Sequence, residues 1–267
     1  YLMRDLQEGM ESLIRDTGAF PSFPAQTSRN QIAAHYCSSP ADTSRFEEND
    51  LVKIDVGAHI DGLVVDTGVS ADLSADGRWS AMISAASDAL DAAIAMCSPN
   101  MEVDDIGERV GEVISSAGFK PVLNLTGHGL GRWVLHDQPN IPNDRIGAKG
   151  RLEAGSIFAI EPFATSGKGY IKEEGQAEVF LLSEEPRASN KIDAESLEAI
   201  SACNGLPFAR RYFKELPKKP FERTLKELIR QGVAREYEPL VEVSGAHVGW
   251  KEHTIYLGPE KSEVLTA

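Results

Sequence analysis

The chain has 267 residues, of which 42% are hydrophobic and 25% are charged, as is usual for a folded globular protein. Its 27 basic and 41 acidic residues give a formal charge of −14, so we expect no direct binding to nucleic-acid phosphate. No apolar run approaches the roughly 18 residues of a membrane span, and the three cysteines lack zinc-knuckle spacing. These properties predict a cytoplasmic protein with reduced thiols and no membrane contact.

The N-terminal part of the sequence predicts a helix and then a loop. Apolar residues from Leu2 to Ile14 recur at helical spacing, and Gly18 can end the helix. The segment 19–31 is rich in Pro, Ser, Thr and Asn, which predicts a loop. The chain begins at Tyr1 without an initiator methionine or a signal-peptide pattern, and we expect a further helix or strand to precede it.

The clearest strand pattern is a hairpin between residues 52 and 69. Apolar and other residues alternate over 52–57, a turn is predicted at 59–62, and a second strand runs from Leu63 to Val69. If the loop holds an even number of residues, Asp55 and Asp66 face the same side of the hairpin, because side chains repeat every two residues. The two carboxylates are then directly opposite each other or one diagonal step apart.

Helices and strands follow in alternation. Amphipathic helices are predicted over 79–97 and 103–117. A glycine-rich segment then holds His128, and a strand over 156–161 ends at Glu161, immediately before a proline.

The last third of the chain changes in pattern. A strand is predicted over 173–183, short helices over 193–236, and strands over 240–244 and 253–257. We therefore divide the chain into a main domain of residues 1–190 and 237–267 and a helical insertion of residues 191–236.

Four carboxylates and one imidazole stand out as candidate metal ligands. Singly, each has an ordinary explanation as a solvated or core residue. Together they form a ligand set suited to two hard divalent cations, because two carboxylates about 4 Å apart repel by roughly 4 kcal/mol unless a cation lies between them. Two such cations can ionise water for hydrolysis. The set is Asp55, Asp66, His128, Glu161 and Glu252.

The settings of these residues resemble one family over nearly the whole chain, the type II methionine aminopeptidases of the short, archaeal-like kind. The matching motifs are Ala33-Ala34-His35-Tyr36, Lys53-Ile54-Asp55-Val56-Gly57, Gly62 to Asp66, Gly127-His128, Ala159-Ile160-Glu161, Gly167-Lys168-Gly169 and Glu252-His253-Thr254-Ile255. The resemblance implies an α+β pita-bread fold, a curved antiparallel sheet flanked by helices with a small helical insertion. It also implies a hydrolase that removes the initiator methionine from nascent proteins and peptides.

The resemblance further implies a role for each ligand. Asp55 would chelate one cation, Asp66 and Glu252 would bridge both, and His128 and Glu161 would complete the other. Glu161 would also shuttle a proton while a hydroxide bridging the cations attacks the first peptide carbonyl. The sequence leaves the metals open among Co, Mn, Fe and Zn.

Five more residues match family positions around the substrate. His35 and His136 would contact the substrate and the transition state, where a neutral imidazole can donate a hydrogen bond. Phe23, Leu135 and Tyr237 would line the pocket for the methionine side chain. Without the resemblance, all five would be ordinary core or loop residues. One departure is that none of the six histidines lies at the pocket position that follows the 156–161 strand, where the family often has a histidine.

Two other functions remain open. A related dimetal enzyme, an aminopeptidase P or prolidase that cleaves Xaa-Pro bonds, would share the fold and ligand type. A non-enzymatic binding protein on the same scaffold would have lost ligands, whereas all five are present here. The expected partners are peptides and nascent polypeptides with N-terminal methionine, with ribosome association left open, and we expect a monomer.

Overall fold

The computed structural model describes residues 1–267 as five α-helices, a short 3₁₀ helix and seventeen strands. The helices are α1 Met3–Asp16, α2 Ser80–Met96, α3 Val103–Ser116, α4 Ala194–Ser201 and α5 Lys218–Arg230, with the 3₁₀ helix at Arg210–Phe213. The strands are β1 Phe20–Pro21, β2 Gln26–Arg29, β3 Ile32–Ala34, β4 Leu51–Ile60, β5 Leu63–Asp72, β6 Lys120–Pro121, β7 Thr126–Gly131, β8 Val134–Pro142, β9 Ile157–Ile160, β10 Phe163–Thr165, β11 Ile171–Glu173, β12 Val179–Leu182, β13 Phe208–Ala209, β14 Ala234–Tyr237, β15 Leu240–Glu242, β16 Val248–Leu257 and β17 Ser262–Val264. No helix combines the length and the apolarity that a membrane crossing requires.

An eleven-stranded antiparallel sheet forms the body of the protein. Its main path runs β1-β4-β5-β16-β9-β7-β8, so that β16, late in the chain, lies in the middle. The apolar faces of α2 and α3 cover one side of this sheet and share a core of 19 buried residues with it. The arrangement confirms the predicted α+β fold with a curved antiparallel sheet and flanking helices.

The predicted hairpin forms with a two-residue loop. Asp61 and Gly62 both have positive φ, at 49° and 81°, which suits the tight turn that matches the twist of paired strands. Asp55 lies opposite Gly68 and Asp66 lies opposite Gly57. The two carboxylates are therefore one diagonal step apart and face the same side of the sheet.

Two predicted segments differ from the structure. The prediction of a loop over 19–31 is wrong for β2, where Gln26 pairs with Asp55. The partner strand β4 stabilises this polar segment as a strand, and the polar sequence alone does not predict that pairing. The single strand predicted over 173–183 is divided. Its first part, β11, pairs with β15, and its second, β12, pairs with β13 and β14, while Gly175 turns the chain between them at a φ of 123°.

The segment 191–236 contains α4, α5 and the 3₁₀ helix, together with two short strands that pair with β12. A separate core of nine buried residues joins these elements. Buried Arg211 donates a hydrogen bond to buried Glu11 and so attaches the segment to α1. The boundaries of the predicted insertion stay a prediction, because β12 lies outside them.

Candidate active site

Five neighbouring strands each bring one candidate metal ligand to the same side of the sheet. In spatial order these strands are β4, β5, β16, β9 and β7. Gly68 lies opposite both Asp55 and Glu252, so the two carboxylates stand in one row on either side of a glycine. Directly paired residues of antiparallel strands point to the same face. Asp66, two residues from Gly68, shares that face.

The same register argument holds for the remaining two ligands. His128 lies opposite Ala159, and Glu161 follows Ala159 by two residues just past the end of β9. His128 Nε2 is 3.5 Å from Glu161 Oε1 and 3.8 Å from Asp66 Oδ2. One ligand atom from each of Asp66, His128 and Glu252 lies within 4.8 Å of the others. The structure thus brings all five ligand candidates together.

The electrostatics of this cluster require a counter-charge. Burial raises the pKa of Asp66 to about 8, and burial followed by the charge of Asp66 raises the pKa of Asp55 well above its usual value. Burial and neighbouring carboxylates likewise raise the pKa values of Glu161 and Glu252. Asp55 Oδ1 and Asp66 Oδ1 are buried without a hydrogen-bond partner. Oxygen-rich clusters with unpaired acceptors fit divalent cations, which supply the missing positive charge.

His128 is held in the form that a metal requires. Its Nδ1 lies 3.2 Å from the carbonyl oxygen of Gly129, which can only accept a hydrogen bond. Nδ1 therefore carries the proton, and Nε2 presents a lone pair to the carboxylates. Burial lowers the pKa of His128 to about 4, which keeps the ring neutral.

The glycines beside His128 allow neighbouring backbone to approach closely. A Cβ at Gly127 would lie 2.3 Å from the carbonyl oxygen of Ala159, and one at Gly129 would lie 2.2 Å from that of Gln138. Neither position has room for a side chain. The imidazole is thus placed by tight packing of β7 between β8 and β9.

Thr254 positions the cluster, although the sequence analysis did not single it out. Its hydroxyl accepts a hydrogen bond from the backbone N–H of Asp66 at 2.7 Å and donates one to the carbonyl of Asp66 at 2.6 Å. Thr67 Oγ1 in turn donates to the carbonyl of Glu252 at 3.1 Å. These bonds join β5 to β16 beside both carboxylates. The signal was present in the sequence, since Thr254 follows Glu252 by two residues and shares its face.

Trp250 fills the space that Gly68 leaves open. A Cβ at Gly68 would lie 1.8 Å from Cη2 of the indole, so the ring lies over the glycine between Asp55 and Glu252. The indole also stacks on Phe163, with ring centroids 5.6 Å apart. No sequence pattern had indicated this aromatic wall beside the carboxylates.

A cavity of about 510 Å³ contains the cluster. Every residue that the sequence analysis proposed for the site lines it: Phe23, His35, Asp55, Asp66, His128, Leu135, His136, Glu161, Tyr237 and Glu252. The lining residues that it missed are Gln26, Ala34, Phe163, Val179, Pro207 and Trp250.

Both candidate substrate histidines contact the ring of Tyr237. The ring of His35 meets that of Tyr237 edge-on at 5.5 Å, and His136 stacks on it at 6.2 Å and contacts His128 at 4.4 Å between ring centroids. Burial lowers the pKa of His35 to about 4, and its Nδ1 has no partner. The backbone N–H of His35 donates to Gln26 Oε1 at 2.7 Å. The imidazole is neutral and retains an unused polar atom.

The cavity has an apolar end beside the carboxylates, where a Cβ at Gly57, the strand partner of Asp66, would lie 2.3 Å from Phe23 Cε1. Phe23 and Leu135 are buried there in one cluster with Leu206. Tyr237 and Val179 belong to a second cluster beside it. Val179 lies on β12, which comes after the Glu161 strand in the chain, and lines the cavity. The sequence has no pocket histidine in this part of the chain, and the structure has the apolar side chain of Val179 there. This end suits an unbranched, uncharged side chain.

His247 and His253 lie outside the cavity. His247 stacks on Trp79 at 4.0 Å between ring centroids. His253 Nδ1 lies 3.0 Å from Thr266 Oγ1, on the opposite face of β16 from Glu252. All three cysteines are free thiols.

Comparison with known proteins identifies the family of this chain. The profile of metallopeptidase family M24 matches residues 3–195. The chain therefore belongs to metallopeptidase family M24. A methionine aminopeptidase of Archaeoglobus fulgidus is 39% identical over 98% of this chain and 88% of its own length, and one of Methanothermobacter thermautotrophicus is 37% identical over 98% and 89%. Within the family, the chain groups with these short methionine aminopeptidases.

Solved structures show the same fold at low identity. A methionine aminopeptidase of Thermotoga maritima has a TM-score of 0.69 at 22% identity and covers 99% of this chain and 85% of its own. A thermophilic Arx1 has a TM-score of 0.86 at 17% identity, covering 99% and 83%. The prolidase of Pyrococcus furiosus has a TM-score of 0.63 at 16% identity, covering all of this chain but only 56% of its own.

Proposed function

We propose that this protein is a metalloexopeptidase that removes methionine from the N-terminus of peptides and nascent polypeptides. The observation that carries the proposal is one cavity in which five ligand side chains adjoin an apolar end. The carboxylates and imidazole would hold two divalent cations, drawn from Co, Mn, Fe or Zn. Relatives at 37–39% identity that bear the name methionine aminopeptidase support the same activity.

The residues of the chain have separate tasks in this proposal. Bound cations would lower the pKa of a water molecule so that it can attack the first peptide carbonyl at neutral pH. Glu161 would take the proton of that water and return it to the leaving amine. His35 and His136 would donate hydrogen bonds to the carbonyl oxygen or the leaving nitrogen. The apolar end would orient the methionine side chain.

The Xaa-Pro peptidase is the weaker alternative. It rests on structural likeness below 20% identity, which shows the fold alone. Rates of cleavage of Met-Ala-Ser and of Xaa-Pro peptides distinguish the two activities, and preferential Xaa-Pro cleavage would refute the proposal. Monomeric state and any ribosome association stay predictions.

Replacing a ligand tests the site directly. Glu161→Ala and His128→Ala should each lower kcat/KM on Met-Ala-Ser by at least about 10²-fold, because each removes a metal ligand and the former also removes the proton shuttle. His59→Ala is the matched control. His59 lies on β4 near the hairpin turn, where it contacts Phe20 and Trp133 outside the cavity, and its loss should change kcat/KM little.

Near-normal turnover by Glu161→Ala would contradict the role given to this residue. Calorimetry with Mn²⁺ or Co²⁺ supplies an independent measurement, since both ligand variants should bind the cations more weakly while His59→Ala binds them as the parent protein does.

A further inference from the structure

The catalytic cavity opens into a wider cleft through which a bound peptide must leave. The cleft has a volume of about 1660 Å³ and shares His35, His136 and Tyr237 with the cavity. Apart from the metal ligand Glu161, its charged lining consists of Lys172, Glu173 and Arg235. A substrate held by its N-terminal methionine therefore extends past a small number of charged side chains.

Arg235 is the unmatched cation among them. Lys172 forms an ion pair with Glu174. The guanidinium of Arg235 instead lies over the ring of Tyr237, with Cζ 4.8 Å from the ring centroid, and takes part in no ion pair or side-chain hydrogen bond of the structure. The residue is exposed, in a chain with a net charge of −14. Stacking on an aromatic face orients a guanidinium while leaving its N–H donors free to bind an oxyanion.

The position of Arg235 indicates which substrate residue it meets. Arg235 and Tyr237 are two residues apart on β14 and face the same side, so their Cα atoms are roughly 6.6 Å apart. Tyr237 lines the cavity for the methionine. An extended peptide advances by about 3.3 Å per residue, so the same distance separates the methionine from the third residue of the substrate.

We propose that Arg235 selects substrates that carry an acidic side chain at the third residue, two positions after the methionine. This inference rests on the proposed aminopeptidase function and names a substrate class for the same site. A carboxylate at the third residue pairs with the oriented guanidinium, whereas a neutral side chain there gains nothing and a lysine is repelled. Glu173, which also lines the cleft, disfavours an acidic side chain that is placed away from Arg235.

The experiment compares kcat/KM of the metal-loaded enzyme on two peptides, Met-Ala-Asp-Ser and Met-Ala-Asn-Ser, both amidated at the C-terminus. Amidation leaves the aspartate as the sole carboxylate. An exposed ion pair of this kind corresponds to about a two- to fivefold preference for aspartate at low ionic strength. The preference should approach onefold at about 1 M salt, where the Debye length is about 3 Å.

Variants of Arg235 test whether this residue causes the preference for aspartate. Each ratio is taken within one variant, so a change in overall activity does not enter. Arg235→Gln should bring the ratio to about one, and Arg235→Lys should retain part of it, because the charge remains without the planar stacking on Tyr237. Lys172→Gln is the matched control for removing a cation from the same cleft, and its ratio should equal that of the parent enzyme.

The possible results separate failure of the Arg235 inference from failure of the proposed aminopeptidase function. Equal cleavage of both peptides by the parent enzyme, or an undiminished preference in Arg235→Gln, would overturn the inference while leaving the aminopeptidase function in place. A preference found only with Met-Ala-Ser-Asp would overturn the assignment to the third residue. An enzyme that cleaves no methionyl peptide would overturn the proposed function, and this inference with it.

Discussion

His35 has a backbone conformation that few residues other than glycine adopt. Its φ is 67°, in the left-handed region, where a side chain strains the backbone by roughly 1–3 kcal/mol. The hydrogen bond from its N–H to Gln26 Oε1 holds this conformation. The result is an imidazole directed into the cavity beside Tyr237 with Nδ1 unpaired. Strain that places a polar group at a reaction site is a usual feature of catalytic side chains.

His35→Ala should therefore lower kcat more than it raises KM. A donor that meets the carbonyl oxygen only as negative charge develops there stabilises the transition state more than the bound substrate. We expect a loss of kcat of about 10²-fold on Met-Ala-Ser, measured by steady-state kinetics. A change confined to KM would show that His35 only binds the substrate.

Some residues of the cavity could be predicted from the sequence and others could not. His128 was identifiable because glycines flank it and because the resemblance supplied its role. Gln26, Phe163 and Trp250 were not, since nothing in their local sequence distinguishes a cavity wall from ordinary core. The position of these residues depends on which strands pair in the sheet, and the local sequence does not predict that pairing.

At the scale of elements, a side chain replaces part of the backbone hydrogen bonding between β5 and β16. This replacement lies beside the carboxylate cluster. Direct backbone pairing joins them at Lys251–Val69 and Glu252–Gly68. Thr254 then continues the connection through its hydroxyl, which satisfies both the N–H and the C=O of Asp66. This side chain fixes the separation of the Asp66 and Glu252 carboxylates.

Thr254→Val tests this connection with almost no change in shape. The variant leaves two buried backbone groups of Asp66 unpaired, which costs about 1–3 kcal/mol of unfolding free energy. Affinity for Mn²⁺ or Co²⁺ should fall as well, because the backbone of Asp66 is no longer fixed to β16 beside Glu252. Thr254→Ser restores the hydroxyl and should recover most of both quantities, measured by chemical denaturation and calorimetry. Valine and serine variants of equal metal affinity would exclude the positioning role.

The strand elements were predictable where alternation was strong. The β4–β5 hairpin follows from its alternating pattern and its Asp-Gly turn, and even the shared facing of Asp55 and Asp66 could be derived. The strand β2 could not be, because buried Gln, Thr and Ser form a strand only when β4 pairs with their backbone and other segments satisfy their side chains. Gln7, His35 and Tyr36 donate those side-chain hydrogen bonds. The segment 173–183 has one strand pattern but contains two strands in different sheets.

At the scale of the whole molecule, the carboxylate cluster makes stability depend on metal and pH together. In the metal-free protein, burial holds the pKa of Asp66 at about 8, against 3.8 when unfolded. The folded state then binds more protons than the unfolded state, so its stability falls as pH rises from about 4 to about 8. The buried histidines act in the opposite sense, but only below their unfolded pKa of 6.5.

Between pH 6.5 and 8, the histidine effect is absent and the effect of the four carboxylates dominates, opposed by buried Lys53, whose pKa burial lowers well below its usual value. We expect the Tm of chelator-treated protein to fall across this interval, whereas that of metal-loaded protein should fall less, since the cations replace the protons. Asp66→Asn should reduce the fall in the metal-free state. Thermal denaturation at a series of pH values measures all three, and a rising Tm in the metal-free protein would contradict the argument.

The middle position of β16 has a consequence for how this protein is made. The chain is synthesised from its N-terminus, so β5 and β9 exist long before the strand that belongs between them. Until residues 248–257 have emerged, one edge of β5 and one edge of β9 stay open, and such edges invite pairing with other chains. The insertion of β16 completes the sheet and at the same time brings Glu252 into the site. An incomplete chain is therefore at its most prone to aggregate, and lacks a metal ligand, until this strand is inserted.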